Sequence, residues 1–382
     1  MNFSLRVLAV ADPAMFVYRD PQHAMLEKFS QQTGVQVQFD LVPWAELFDQ
    51  LLCVFRGEVD YDIVTVAGHL WLKDFVDKGY LLPLNFDTDN ILDAVAREIQ
   101  YRGQIFLSPS FCDGHMILFR PSMIPTLASQ DLQQPLSTRK FAKLIEAAGQ
   151  QYGHQTILQK AHASEIFLDT LPYFWDEDCS LVDDSGQVSD LLSPASEAAL
   201  ERYLQLRQFA PVASQSAGND EVREAFQTKS VPLVVTWCGQ LGRCLDSTCQ
   251  DQSDIGFATL TRPFNVTWSF AVSAKSKHPD EARQLLDYLR SAENDLLVGR
   301  FSGAPVLKST YDQDADRFAW YGQLKKMINQ DARALPAIAN AGEIWGHFYR
   351  ETHLAYCGQK TARQALEAIA EAIQQQGVQQ QI

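Results

Sequence analysis

Three times in its first 80 residues the chain repeats one unit: an apolar strand pattern, a short loop, and an amphipathic helical pattern that stops at a glycine. "LRVLAVAD" leads into "PQHAMLEKFSQQTG", "VQVQFDLV" into "PWAELFDQLLCVFRG", and "YDIVTVAG" into "HLWLKDFVDKG". Ala24, Met25 and Phe29 recur at helical spacing, and Gly34, Gly57 and Gly79 stand where a left-handed residue ends a helix. Strands alternating with helices run mostly parallel, because each helix is the crossover that returns the chain to the same edge. The fold class is therefore α/β. Ligands of open sheets of this kind lie beyond the carboxyl ends of the strands, so the loops "ADPAMF", "LVPWAE" and "VAGHLW" share one rim.

At 382 residues the chain exceeds what one hydrophobic core usually organises, so two lobes are expected. A formal charge of −15 offers no basic stripe to displace counterions from phosphates, which excludes non-specific nucleic-acid binding. Seven cysteines form no C-x-x-C pair, and their spacing favours packed thiols over a zinc or redox motif. No apolar run approaches the roughly 18 residues that a membrane helix needs. At the start, "MNFSLRVLAVADPAM" carries one Arg and five consecutive apolar residues, shorter than a signal-peptide core, and reads better as the first strand. Either an export signal was removed or the protein stays inside the cell.

Further along, "RGQIFLSPSFCDGHMILFRPSMI" reads as a strand, a Pro-Ser-Phe-Cys-Asp-Gly connection and a second strand. With no helix between them, such a connection suits a crossing from one lobe to the other. Beyond about residue 135 helices dominate: "STRKFAKLIEAAGQ", then "PASEAALERYLQLRQFA" behind a Ser193-Pro194 start. "DEDCSLVDDSGQVSD" between them is an acidic turn segment. "VPLVVTWCGQLGRCL" is another strand-to-glycine junction bearing a Trp, and "TWSFAVSAKSKHPDEARQLLDYLRS" a strand followed by a helix with Leu285, Leu286 and Leu289 on one face. "TARQALEAIAEAIQQQG" is an amphipathic helix whose polar end is expected to fray.

In this order the segments resemble the extracellular solute-binding proteins of bacterial ABC importers, above all the sugar-binding family that includes maltose-binding protein. The resemblance is carried by "MLEKFSQQTGVQVQF" with "VPWAELFDQL", "YDIVTVAGHLWLKDFVDKGYLLPL" and "GHMILFRPSMI". In the second half "VPLVVTWCGQLG", "KSKHPDEARQLLDYLRSAEN", "FSGAPVLKS" and "RALPAIANAGEIWGHFYRE" with "KTARQALEAIAEAI" carry it. It covers nearly the whole chain and rests on the sum of these stretches. It implies a two-lobe periplasmic-binding-protein-like fold of class II, hinge-connected, with a ligand cleft between the lobes. Residues 1–110 and 271–315 would form the N-terminal lobe, and 114–268 and 318–382 the C-terminal lobe. The resemblance further implies a non-catalytic monomer that captures a carbohydrate or glycoside by lobe closure and delivers it to ABC transporter permease subunits. It calls for no cofactor, no metal and no membrane insertion, and for a periplasmic or extracellular site. Two departures stand out: no export signal is visible, which leaves a cytoplasmic location open, and seven cysteines is many for a periplasmic binder.

A sugar ring presents hydroxyls at its edge and C–H groups on its faces, so its receptor needs flat aromatics and short polar side chains converging on one gap. Candidates on the junction loops are Asp12, Trp44, Gly68 and His69; Phe111 and Asp113 flank the crossing. Trp237 and Gly239 end a strand of the second lobe, and Trp268 stands at the return crossing. Ser302 and Gly303 match the family's small-residue turn before Pro305, and Trp175 in "LPYFWDED" is expected at a lobe surface or cleft rim. Each has a plainer role open to it: Asp12-Pro13 equally starts a helix, and Asp113-Gly114 is equally a turn. Trp71, Trp320 and Trp345, inside helical patterns, belong in the core. Replacing Trp237 by Ala is expected to weaken binding by about tenfold or more without unfolding the protein. The chain has no G-x-S-x-G, H-E-x-x-H, P-loop, G-x-G-x-x-G or EF-hand motif, although its 47 acidic residues leave a carbohydrate hydrolase open. An acidic protein with aromatic walls would also serve a polyamine or other cationic solute, and a cytoplasmic sensor on the same fold is a further reading.

Overall fold

The computed structural model describes residues 3–379. Residues 1–2 and 380–382 lie outside that range. The chain divides into two compact units. Unit one comprises Met1–Asp113, Gly239–Arg243 and Val266–Lys325, and unit two Gly114–Cys238, Cys244–Asn265 and Lys326–Ile382. Residues 239–243, 266–268 and 318–325, which the resemblance assigned to the C-terminal lobe, thus group with unit one.

Unit one runs through β1 (Ser4–Val10), α1 (Met25–Thr33), β2 (Gln36–Val42), α2 (Trp44–Arg56), β3 (Ile63–Ala67), α3 (Gly68–Asp77) and β4 (Leu81–Leu82). Helix α4 (Asp93–Glu98) and the hairpin β5 (Gln100–Tyr101) and β6 (Gln104–Ile105) follow, before β7 (Ser108–Phe119) carries the chain past the unit boundary. Unit two then holds α5 (Pro125–Ala128), α6 (Thr138–Tyr152), β8 (Ile157–Leu158), α7 (Ile166–Asp176), α8 (Pro194–Gln205), α9 (Asn219–Gln227) and β9 (Leu233–Trp237). After α10 (Leu241–Cys244) and β10 (Gly256–Ala258), β11 (Asn265–Ser273) leads to α11 (Pro279–Leu289), α12 (Ala292–Ser302), α13 (Lys308–Gln313) and α14 (Tyr321–Lys326). Helices α15 (Ala341–Tyr356) and α16 (Ala362–Gln379) end unit two.

The three repeats become the parallel core of unit one. β2 pairs with β1 from Ser4 opposite Gln36 to Val10 opposite Val42, and β3 lies on the other side of β1. β3 is buried along its whole length, as an inner parallel strand should be. Gly34 and Gly57 end α1 and α2 at φ 76°, the left-handed conformation that only glycine adopts without strain. β11 adds an antiparallel strand against β3, with Trp268 opposite Ala67, and β4 pairs with its far end at Val272 and Ser273.

Unit two departs from the mostly parallel expectation. β9 runs antiparallel to β7, with His115 opposite Trp237, β10 is antiparallel to β7, and only β8 is parallel to β9. Against this sheet stand the apolar helices; Phe167 of α7 stacks on Trp345 at 5.6 Å and meets Phe348 at 4.7 Å. Trp71, Trp320 and Trp345 are buried as expected, Trp71 and Trp345 inside helices, whereas Trp320 lies in the turn before α14 and not in a helix.

The stretch "SPSFCDG" is not a connection between strands but the first part of one strand, β7, buried at all its positions. Pro109 and Gly114 read as breakers in the sequence, yet neither breaks it. Pro109 is the second residue of the strand, a position where a missing N–H is tolerated. Gly114 answers a shortage of space: a Cβ there would come within 2.8 Å of Asn265 Oδ1 and 3.0 Å of Met327 Cε. Among the described residues no helix is long and apolar enough to cross a membrane.

Candidate functional site

Because β1, β2 and β3 are parallel, their carboxyl ends deliver Asp12, Trp44 and Gly68 to one rim of unit one. The antiparallel register of β11 adds Trp268, opposite Ala67, to the same rim. Trp44 is the first residue of α2; its ring stacks on Trp71 at 5.3 Å and meets Trp268 edge-on at 5.6 Å and 86°. Trp44 and Trp268 are half-buried, and Phe48, one turn further along α2, is 40% exposed. The result is a partly exposed aromatic ledge.

Gly68 begins α3, where a Cβ would come 3.1 Å from Leu107 Cδ1. His69 follows it; burial drives its imidazole down to about 3, so the ring is neutral near pH 7 and carries one donor and one acceptor nitrogen. Asp12 takes the plainer part read from the sequence, the start of a helix: Oδ1 accepts from Ala14 N at 2.8 Å and caps the 3-10 turn Pro13–Arg19, while Oδ2 accepts from Gln240 Nε2 at 3.2 Å.

Asp113 ties three chain segments of unit one together. Its Oδ1 accepts from the backbone N–H of Gly239 and its Oδ2 from Trp268 Nε1, each at 3.3 Å. A side chain at 239 would collide, since a Cβ there lies 2.8 Å from both Asp113 Oδ1 and the Phe111 ring. Phe111 itself has no exposed surface. Ser302 and Gly303 form the stop of α12: Ser302 Oγ accepts from Ala304 N at 3.2 Å, and Gly303 adopts φ +98°. Gly303 lies so near the 241–242 backbone that a Cβ would sit 2.7 Å from Gly242 N, and its carbonyl accepts from Trp320 Nε1 at 2.8 Å. These two residues shape the unit by packing.

Trp237 and Trp175 belong to unit two. Trp175, expected at a lobe surface or cleft rim, is buried in α7, where ten consecutive residues are buried; its ring lies 6.5 Å from Phe264 and its carbonyl accepts from Arg262. The acidic residues that follow it suggested solvent, but the helix packs on all sides. Trp237 is 4% exposed, at the end of β9. His115 stacks on it at 4.3 Å and 19°, Lys160 Nζ lies 3.8 Å from its ring centroid, and its Nε1 donates to Glu165 Oε2 at 3.1 Å. Asp169 Oδ1 in turn lies 2.8 Å from His115 Nε2 and 2.9 Å from Lys160 Nζ. Burial pushes the Asp169 carboxyl up, but Lys160 and His115 outweigh it and hold it below its ordinary value. Burial dominates at the other two: it lowers His115 despite Asp169, and raises Glu165 despite Lys160. His115, Lys160, Glu165 and Asp169 escaped the sequence reading. The signal available was Glu165 and Asp169, two acids four residues apart and so on one helical face, beside an otherwise apolar run.

Among the described residues no group of three His, Cys, Asp or Glu side chains could hold a metal ion. All seven cysteines are free thiols; five are buried, and Cys53 and Cys357 are half-buried.

Similar folds occur among solved structures. Maltose-bound MalE3 of T. maritima superposes with a TM-score of 0.85 at 20% identity, over 97% of this chain and 99% of that one. The solute-binding protein of Agrobacterium vitis S4 with bound D-mannitol gives 0.82 at 16% identity, over 98% of each chain. The sugar-binding protein MalE of Xanthomonas citri gives 0.79 at 16%, over 100% of each. These likenesses show the two-lobe fold of periplasmic binding proteins. Residues 21–295 match the family model described as bacterial extracellular solute-binding protein, and the chain belongs to that family.

Proposed function

We propose that this protein is the solute-capturing component of an importer, that its solute is a carbohydrate, glycoside or polyol, and that it binds without catalysing a reaction. The observation that carries the reading is the ledge of unit one: Trp44 and Trp268 at right angles, both half-exposed, with Asp113 fixing the second indole. Aromatic faces accept the C–H side of a sugar ring, and the neutral His69 and the carboxylates of Asp12 and Asp113 suit its hydroxyls. Similar folds with maltose and D-mannitol bound support the same ligand class. We assign Asp12, Trp44, Gly68, His69, Asp113, Gly239 and Trp268 to binding in unit one and Trp237 in unit two; Phe111, Ser302, Gly303 and Trp175 support them by packing. Capture works by population shift: the solute favours the state it binds better by as much as the two affinities differ. The protein acts as a monomer outside the cytoplasmic membrane and hands its cargo to permease subunits.

Thermal unfolding against sugars, glycosides, polyols and polyamines tests this, since a ligand at 100 times its Kd adds about 2.7 kcal/mol of stability. A stabilising sugar or polyol left chemically unchanged after prolonged incubation is the expected result; turnover would make the protein a hydrolase. The net charge of −15 favours one second reading, a polyamine or other cationic solute held by carboxylates and aromatic faces. Its binding would weaken steeply with added salt, whereas that of a neutral sugar would stay nearly constant.

A further inference from the structure

We infer that Lys160, Asp169 and His115 are positioning residues that fix the Trp237 indole in one orientation; its value for solute binding rests on the reading above, in which Trp237 touches the solute. The indole is held from several sides at once. The antiparallel register puts His115 directly across from Trp237, so the imidazole lies flat against the ring. Lys160 brings its ammonium 3.8 Å from the ring centroid, where the π-face attracts a cation. Glu165 accepts the indole N–H at 3.1 Å and sets the in-plane direction.

One oxygen of Asp169 serves both His115 and Lys160, so a single carboxylate locks the two groups that pack on the ring. Lys160 has no exposed surface and Asp169 only 6%. Burying an ion pair this deeply is a poor way to gain stability, because desolvation of both charges offsets their attraction. Apolar side chains of the same volume would fill the space as well, but they would hold the indole by shape alone. The pair supplies direction: a cation against the face and a hydrogen-bonded imidazole beside it leave the ring one orientation. An indole divided among orientations binds more weakly in proportion to the fraction correctly placed.

The test reads the indole directly. The Nε1–H resonance of Trp237 is identified in the 15N-labelled protein by its loss in Trp237→Phe, then followed in Lys160→Met and Asp169→Asn, with Arg120→Met as a destabilised control outside the cluster. The expected result is a shifted, broadened or doubled Trp237 signal in the first two variants and an unchanged one in the control. An unchanged Trp237 signal in folded Lys160→Met or Asp169→Asn overturns the inference. Asp169→Asn keeps the size and an oxygen acceptor, so it decides the matter if Lys160→Met does not fold. Calorimetry with maltose as the probe examines the underlying reading separately. If maltose binds, Lys160→Met should weaken it by about tenfold, with no further loss when combined with Trp237→Phe. Equal maltose affinity of wild type and Trp237→Phe would remove Trp237 from the site and leave the indole signal to judge the positioning.

Discussion

Arg120 has no exposed surface, and its guanidinium donates to the backbone carbonyls of Phe226, Asp251 and Asp254 while lying 4.4 Å from the Phe226 ring centroid. It is the clamp that ties the 245–254 segment of unit two to the end of β7. Arg120→Met would strip those carbonyls of the buried guanidinium that joins them, so urea denaturation should show a loss of about 3 kcal/mol. Trp237 raises a different matter. Its burial means that Trp237→Ala, expected from the sequence to weaken binding without unfolding the protein, also strips His115, Lys160 and Glu165 of their common neighbour. The Ala variant should therefore lose about 3 kcal/mol or more of stability, and Trp237→Phe is the cleaner probe of affinity. The expectation fails if Trp237→Ala melts at the wild-type temperature.

Helix α12 shows how an element can be fastened at both ends. Its C-terminal stop touches the 241–242 backbone, and a Cβ on Gly242 would overlap the Phe301 carbonyl. Gly242→Ala should cost about 2 kcal/mol, visible as a lower urea midpoint; an unchanged midpoint would mean that this packing yields freely. Near its N-terminal end, Asp295 accepts from Val306 N, Leu307 N and Thr310 Oγ1 and so fixes the start of α13. Burial lifts the Asp295 carboxyl from 3.8 to about 6, in spite of those hydrogen bonds. A carboxyl raised in the folded state lets the unfolded chain ionise first, so its effect is absent below about pH 4 and grows unfavourable as pH rises to about 6. The stability advantage of wild type over Asp295→Asn should therefore shrink by about 3 kcal/mol between pH 4 and pH 7. A constant difference across that range would show the carboxyl titrating normally.

For the whole molecule, the thermal-shift panel and the salt dependence of binding separate a neutral sugar from a cationic solute, because only the second draws on the charge of −15. The family, the alternation of strand and helix, and the rim position of Asp12, Trp44, Gly68 and His69 were legible in the chain itself. Those features depend on local period and on caps such as Gly34 and Gly57, which neighbouring residues encode. What escaped depends on partners distant in sequence. The continuity of β7 was hidden because Pro109 and Gly114 look like breakers when their surroundings are unknown. The depth of Trp175 was hidden by the acids that follow it. Lys160, Asp169 and His115 were invisible as a group, since β7, the segment after β8 and α7 must come together before one carboxylate can serve both the ammonium and the imidazole. The sequence by itself determined the strand and helix alternation of the three repeats and the rim that their loops share. The tertiary structure alone decided that β11 would set Trp268 beside Ala67 and that residues 239–243 would join unit one, because register and burial follow from contacts that no local pattern contains.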